Sequence, residues 1–456
     1  MRFTHALGAA LALAAGATLT ATAAAQSAAP VRPFFTDVFV AGDTGVPLTG
    51  LRAADFEVRE DGAEVRVVEC AAPRRARAQQ LTLALVVDEA GVPPERRAAF
   101  AAVDRVLRDI LAGGRSRVMV VSWGAAAVVV QPFTTDADVA ARAMASGREA
   151  SAGAATELTL ETIVASLGSL PGKRAVAIFG GAGPSAAGRA AAFRSLAERA
   201  NAAGVTVYWI DASGVTRSDP GGGPEPDAGA AARAAAAATG GLDVGGNRDP
   251  AEALFQVTRD LRGAWSIGFA PSSRPDGAPH RLEVKARREG VTVRARAAFA
   301  DLDDERRIAD RSAAALLLAW EDNPLGIQVS LTSEPKPAEG TQVVTVLVTV
   351  PLATLEFEPT QVSHDCDLTL WLAARDVDGQ VIRAPKAKFP VSVPNDRVLT
   401  ALTQTAGYTF RVPMKAGPAA FAVTVRDEIS TQTSTAIATT GAPEAVSPEP
   451  ASGANP

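Results

Sequence analysis

The sequence predicts an α/β chain: a doubly wound, mostly parallel sheet, with an N-terminal β unit before it and a C-terminal β-sandwich domain after it. Three observations predict this. Leu81 to Asp88, Val118 to Trp123, Ala175 to Phe179 and Val205 to Asp211 are apolar runs of strand length, the pattern of strands buried on both faces. Helical stretches separate these runs, so strand and helix alternate. On either side of this stretch, short segments alternate apolar and polar residues between turn signals.

The chain has 456 residues, enough for two to four domains at about 100–200 residues each. Lys and Arg number 45 against 50 Asp and Glu, a formal net charge of −5, which argues against the basic stripe of a nucleic-acid binder. Hydrophobic content is 47% and charged content 21%, the balance of a chain that buries a core. Two cysteines exclude a disulfide-dense scaffold and a Cys-built zinc site.

Residues 1–25 read as a signal peptide. Arg2 is the positive n-region, Ala6 to Leu19 is an apolar stretch too short to span a bilayer, and Ala23-Ala24-Ala25 is a small-residue cleavage site. No Cys follows that site to carry a lipid, and no later stretch is apolar enough to span. The expectation is an exported chain, periplasmic or extracellular, with no membrane insertion after signal cleavage.

Residues 31–75 read as the N-terminal β unit. Asp37 to Val40 is extended, Phe56 to Glu60 alternates, Asp61-Gly62 is a tight-turn signal, and Val65 to Val68 returns. Residues 78–300 read as the α/β domain. Its helices are Pro94 to Leu111, Leu158 to Leu167, Ala190 to Ala203, Ala228 to Ala238 (stopped by Gly240-Gly241) and Pro250 to Arg262. Ala126 to Val130 is its antiparallel neighbour strand. Trp265 to Phe269 and a hairpin around Glu289-Gly290 close the domain. Residues 301–340 form a helical linker around Leu302 to Trp320, and 341–440 a sandwich of short strands. The tail 441–456, rich in Pro, Ser and Ala, is expected to be disordered.

Several stretches carry a family resemblance. They are Gly45-Val46-Pro47-Leu48-Thr49-Gly50-Leu51, then Asp55-Phe56-Glu57-Val58 and Glu60-Asp61-Gly62, then Ala237-Ala238-Thr239-Gly240-Gly241, then Trp265-Ser266-Ile267-Gly268-Phe269-Ala270-Pro271. With Val425-Arg426-Asp427-Glu428 near the end, this order resembles the bacterial exported von Willebrand factor A-related family, over most of the mature chain. The resemblance implies the doubly wound A-type domain, with ligands at the C-terminal ends of its strands. It implies no particular activity.

The family's site is a metal-ion-dependent adhesion site, in which a first loop Asp-x-Ser-x-Ser, a Thr and a later Asp hold Mg²⁺ through hard oxygens. Here the first loop reads Asp88-Glu89-Ala90-Gly91-Val92, so Asp88 matches and both hydroxyls are replaced. Thr156 matches the second loop. The third loop, Gly180-Gly181-Ala182-Gly183, lacks its Asp. The expectation is a degenerate site that holds no metal, and no cofactor. Asp88, Glu89, Thr156, Gly180 and Gly181 are then candidate partner-binding residues, with Asp88 and Glu89 as acceptors for a partner's Lys or Arg.

Other chemistry finds less support. Gly181 to Ala186 fits G-x-G-x-x-A, a phosphate-cradling turn, but Asp211 follows by about 30 residues rather than about 20. A tight turn in place of the third metal loop explains it better. Ser185 lacks a nucleophile frame, and His280 and His364 fall in different domains. Asp303-Asp304 opens a charged helix, and Asp376 to Gly379 reads as a hairpin turn rather than a calcium loop. Arg287, Arg288, Arg294 and Arg296 suit either an anion-binding patch or an exposed edge strand. Export permits a disulfide between Cys70 and Cys366; two separate thiols is the other reading. The favoured function is a non-enzymatic, metal-independent protein-binding module. The alternatives are a Mg²⁺-dependent adhesion protein using Asp88 and Thr156 and, last, an enzyme.

Overall fold

The computed structural model describes residues 32–42, 46–73, 80–147, 157–181, 189–212, 228–245, 249–336 and 340–440. The expected signal segment 1–25, Thr156, residues 182–188, the Gly/Pro-rich stretch 218–227 and the tail 441–456 lie outside the described residues.

Four strands come first: β1 (Phe34–Gly42), β2 (Phe56–Glu60), β3 (Ala63–Val65) and β4 (Val67–Ala71). The α/β segment follows. Its strands are β5 (Leu81–Asp88), β6 (Arg117–Trp123), β7 (Ala127–Thr134), β8 (Glu157–Leu158), β9 (Lys173–Gly180), β10 (Thr206–Asp211) and β11 (Asp243–Val244). Its main helices are α1 (Asp104–Leu111), α2 (Ala137–Ser146), α3 (Leu160–Leu167), α4 (Arg189–Ala203), α5 (Ala228–Ala238) and α6 (Pro250–Gly263). The seven-stranded sheet has the order β11-β10-β9-β5-β6-β7-β8. β5, β6, β9, β10 and β11 are parallel, and β7 runs antiparallel to β6.

β5 shows why an unbroken apolar run is needed here. All eight of its residues are buried. Leu81, Leu83, Leu85 and Val87 face a core with Phe100, Leu107, Met144 and Leu254, while Ala84 and Val86 face the opposite core with Ile163, Leu167 and Phe193. Successive side chains of a strand point to opposite faces, so a sheet covered by helices on both sides requires apolar residues at every position. Each fully buried Leu or Val contributes about 1.5–3 kcal/mol.

The next strands are β12 (Trp265–Phe269), β13 (Pro279–Ala286), β14 (Val291–Ala295) and β15 (Ala298–Ala300). They do not extend the seven-stranded sheet. They pair with the N-terminal strands in two four-stranded sheets, β14-β1-β12-β4 and β15-β13-β2-β3. The two sheets enclose one apolar core of Val38, Phe56, Val58, Trp265, Ile267, Phe269 and Phe299 among others. The partition at residue 78 is therefore corrected. Residues 34–71 and 265–300 build one β body, and the α/β segment 81–263 is inserted between its halves. So few N-terminal strands bury little by themselves, and the later hairpins complete their core.

Helix α7 (Asp304–Leu318) is N-capped by Asp303, whose carboxylate accepts from the Arg306 amide at 2.6 Å. One side of α7 joins the α/β core through Ala314 and Leu318, and another meets Ala373, Ala420 and Ala422. The C-terminal strands are β16 (Gln328–Lys336), β17 (Thr341–Pro351), β18 (Glu358–Pro359), β19 (Ser363–Arg375), β20 (Val381–Arg383), β21 (Ala387–Pro394), β22 (Thr405–Lys415), β23 (Ala420–Asp427) and β24 (Thr433–Thr439). They form a three-stranded sheet, β16-β17-β22, and a six-stranded sheet built on β19 and β23, around a shared apolar core. β16 pairs along its whole length with β17, so this body begins at Gln328, within the segment read as linker. Asp376 holds the β19–β20 turn by accepting from the amides of Asp378 and Gln380, at 3.0 and 2.8 Å, as a turn aspartate does. No described helix is long and apolar enough to cross a membrane.

Candidate functional site

β5 and β9 are neighbours, and the chain leaves β5 toward β6 on one side and β9 toward β10 on the other, so their connections run in opposite directions. In open α/β sheets, ligands bind outside the carboxyl ends of the strands at such a switch point. Asp88 ends β5, Gly180 ends β9 and Asp211 ends β10. The structure thus brings Asp88, Glu89, Gly180 and Gly181 together, while Thr156 lies outside the described residues.

The first loop folds tightly over its own carboxylate. Asp88 is 3% exposed, and its Oδ1 accepts from the Ala90 amide at 3.0 Å. Its carbonyl accepts from the amides of Gly91 and Val92, at 3.2 and 2.9 Å. Val92, which stands where the adhesion motif places a hydroxyl, is fully buried and packs into the core that holds Phe100 and Val103. Gly91 lies so close to the neighbouring loop that a Cβ would fall 2.3 Å from the Gly181 nitrogen and 2.8 Å from Asp88 Oδ2. A Cβ on Gly180 would meet the Trp209 ring at 2.3 Å. Trp209 meets Phe193 edge-on at 5.5 Å, and Phe193 meets Trp123 in the same way.

Glu89 turns toward β6 rather than toward Asp88: its carboxylate accepts from the Ser122 hydroxyl, and its amide donates to the Trp123 carbonyl at 3.0 Å. The expectation that both acids face a partner is corrected for Asp88, which the loop encloses. Glu89, half-buried at the rim, is the accessible acceptor. Ser122 and Trp209 were not singled out in the sequence, because each sits inside an apolar run that reads only as a buried strand.

Within the 281–297 hairpin Arg287 and Arg288 stay exposed, as an edge strand implies, while Arg294 and Arg296 turn inward. Arg294 pairs with Asp260 at 2.5 Å, donates to the carbonyls of Gly240 and Gly241 at 2.8 and 3.0 Å, and lies 4.6 Å from the Phe39 ring centroid. Burial raises the Asp260 carboxyl, against the opposing pull of Arg294 and the Tyr208 hydroxyl. Arg296 is buried and reaches the Asn201 carbonyl and the Thr36 hydroxyl, both at 3.3 Å. These residues join the β body to the inserted α/β segment.

Cys70 and Cys366 are both free thiols. Burial pushes Cys70 up to about 11 and Cys366 up to about 12, and the Asp427 carboxylate adds to the second shift.

No protein-family model matches the chain, and no curated protein matches it. Among solved structures, it is similar to an aerotolerance-related membrane protein from Bacteroides fragilis, at 13% identity over 40% of this chain and 98% of that one, TM-score 0.27. It is similar to the conserved hypothetical protein BatB from Bacteroides thetaiotaomicron at 15% identity, over 28% of this chain and 65% of that one, TM-score 0.19. The pilus adhesin SpaC from Lactobacillus rhamnosus GG aligns at 7% identity over 84% of this chain and 58% of that one, TM-score 0.26. At such scores these likenesses carry no weight for function.

Proposed function

We propose that this chain is an exported, von Willebrand factor A-like protein whose strand-end face binds a protein partner without a metal ion and without catalysis. The sheet order with antiparallel β7 next to β6, and the switch point beside β5, support the A-like reading. One observation carries the metal-free reading: the Asp88–Val92 loop closes on its own carboxylate. Mg²⁺ keeps near-octahedral geometry and needs oxygen ligands fixed around it. Val92 points into the core, and the Gly91 backbone lies against Asp88 and Gly181. Asp88 and the described part of the third loop do not fit the ion.

Gly180 and Gly181 are buried behind Gly91 and Trp209 and drop out as contact residues. What remains is a small-residue face of exposed Ala90 and half-buried Gly91, beside the half-buried carboxylate of Glu89. It suits close approach of a partner's backbone, with a Lys or Arg meeting Glu89. The test is retention of an envelope protein on the immobilised mature chain, in buffers with and without Mg²⁺. The expected result is one retained protein in both buffers, lost with Glu89→Arg. Retention that requires Mg²⁺ and disappears with Asp88→Ala overturns the metal-free reading in favour of metal-dependent adhesion. Retention of nothing overturns the binding module.

A further inference from the structure

A second cluster of ligand-type side chains lies in the β body, outside the inserted α/β segment. β2 ends at Glu60, and the turn Asp61-Gly62 follows with φ of 49° and 88°. β13 pairs with β2, placing Leu282 opposite Glu60. The Asp61 amide donates to the Arg281 carbonyl at 3.0 Å, and Asp61 Oδ1 accepts from the Arg281 amide at 2.8 Å. This double contact sets His280 against the end of β2. His280 Nδ1 lies 2.8 Å from Asp61 Oδ2 and 3.7 Å from Glu60 Oε1. One ligand atom from each of Glu60, Asp61 and His280 lies within 4.8 Å of the other two.

We propose that Glu60, Asp61 and His280 form a binding site for a divalent transition-metal ion of the Zn²⁺ class. One imidazole nitrogen and two carboxylate oxygens are a ligand set for such an ion, with solvent at the remaining positions. Ligand–ion distances of about 2.0–2.2 Å put tetrahedral neighbours about 3.4 Å apart. The separations here bracket that value, so small side-chain rotations admit the ion.

Two further features point the same way. Glu60 is 1% exposed and fixed from behind: Oε2 accepts from the Ser272 amide at 2.5 Å and hydroxyl at 2.7 Å, and Oε1 from the Ser273 hydroxyl at 2.5 Å. Such donors orient a ligating carboxylate. On the other side of the imidazole, Nε2 is buried without a hydrogen-bond partner, and Asp276 Oδ1 stands 3.8 Å from it. A metal-ligating His usually donates its other N–H to a carboxylate, which fixes the tautomer. With an ion on Nδ1 the ring keeps one proton, on Nε2 facing Asp276: a neutral His280 takes the tautomer that bears it there, and a protonated His280 releases its Nδ1 proton to water. The ring is held meanwhile against Phe299, centroids 5.5 Å apart. Three carboxylates around one imidazole supply the negative charge that a divalent cation neutralises.

The test is calorimetric titration of chelator-stripped full-length protein with Zn²⁺, with Mg²⁺ as competitor. The expected result is one equivalent of Zn²⁺ bound per chain, undisturbed by Mg²⁺, with affinity weakened at least about tenfold by His280→Gln and by Asp61→Asn. His364→Gln, at a distant surface, leaves it unchanged. A second measurement needs no variant: saturating Zn²⁺ protects His280 from diethylpyrocarbonate, read by peptide mass spectrometry. Absence of saturable uptake by folded wild type, uptake unchanged in both variants, or an unprotected His280 at saturation overturns the proposal.

Discussion

Lys173 Nζ lies 2.9 Å from Asp37 Oδ1, linking the start of β9 to β1. The lysine side chain is 5% exposed and the aspartate 19%. Lys173 also reaches the carbonyls of Ala264 at 3.2 Å and Leu261 at 3.5 Å, where α6 ends and β12 is about to begin. One ammonium therefore holds the inserted segment, the strand that precedes it and the chain that leaves it. Removing one member of a buried pair leaves the other charge uncompensated, at about 3–5 kcal/mol, less here because Asp37 keeps some solvent. Lys173→Met is expected to lower the unfolding free energy by about 2–4 kcal/mol in urea titration. Lys173→Met with Asp37→Leu should recover part of that loss; a strictly additive double mutant would show that the pair is not coupled.

The Arg294–Asp260–Tyr208 network gives a prediction with a pH signature. Arg294→Met leaves Asp260, already raised by burial, without its cation. A loss of about 2–4 kcal/mol is expected at pH 7. Lower pH protonates the stranded carboxyl, so the penalty shrinks toward pH 5. Melting of variant and wild type across that range checks this, and a penalty independent of pH counts against the network.

Asp427 carries the opposite shift. Burial pushes its carboxyl up, but the amides of Glu356, Ile429 and Ser430, at 2.9, 2.8 and 3.2 Å, outweigh it and hold the carboxyl below the ordinary 3.8. A depressed carboxylate stabilises the fold above its unfolded value, and that contribution is lost as pH falls through the folded value. Asp427→Asn should cost about 1–3 kcal/mol at pH 7, and the difference from wild type should narrow as pH falls through the folded value. Denaturant titrations at pH 7 and in acid measure it.

Gly91 tests the closed loop at the strand ends. A Cβ there meets the Gly181 backbone, which cannot rotate away as a side-chain tip can. Gly91→Ala is expected to destabilise by about 1–3 kcal/mol, the cost of overpacking. An Ala variant as stable as wild type would show that the two loops have room to separate.

The thiols make a simpler case. Both cysteines are free, with raised ionisation, so they are slow nucleophiles when folded. Thiol titration of the unfolded, unreduced protein should find both; finding neither would establish a disulfide.

Sequence alone determined the elements whose signal is local. Leu81 to Asp88 has to be a strand covered on both faces, because no exposed strand tolerates such a run. Asp61-Gly62 has to turn, and Asp303 has to start a helix, because backbone freedom and capping act within a few residues. The altered adhesion loop was legible too, since Ala90 and Val92 carry no oxygen. Tertiary structure alone decided which strands meet. β2 finds β13 more than 200 residues along the chain, because pairing depends on which strand edges the tertiary fold brings side by side and not on a local signal. That pairing makes residues 265–300 part of the N-terminal body and brings His280 to Glu60 and Asp61, a cluster without any sequence spacing to announce it. It also turns Arg294 and Arg296 inward, where period-two alternation distinguishes two faces without saying what covers each.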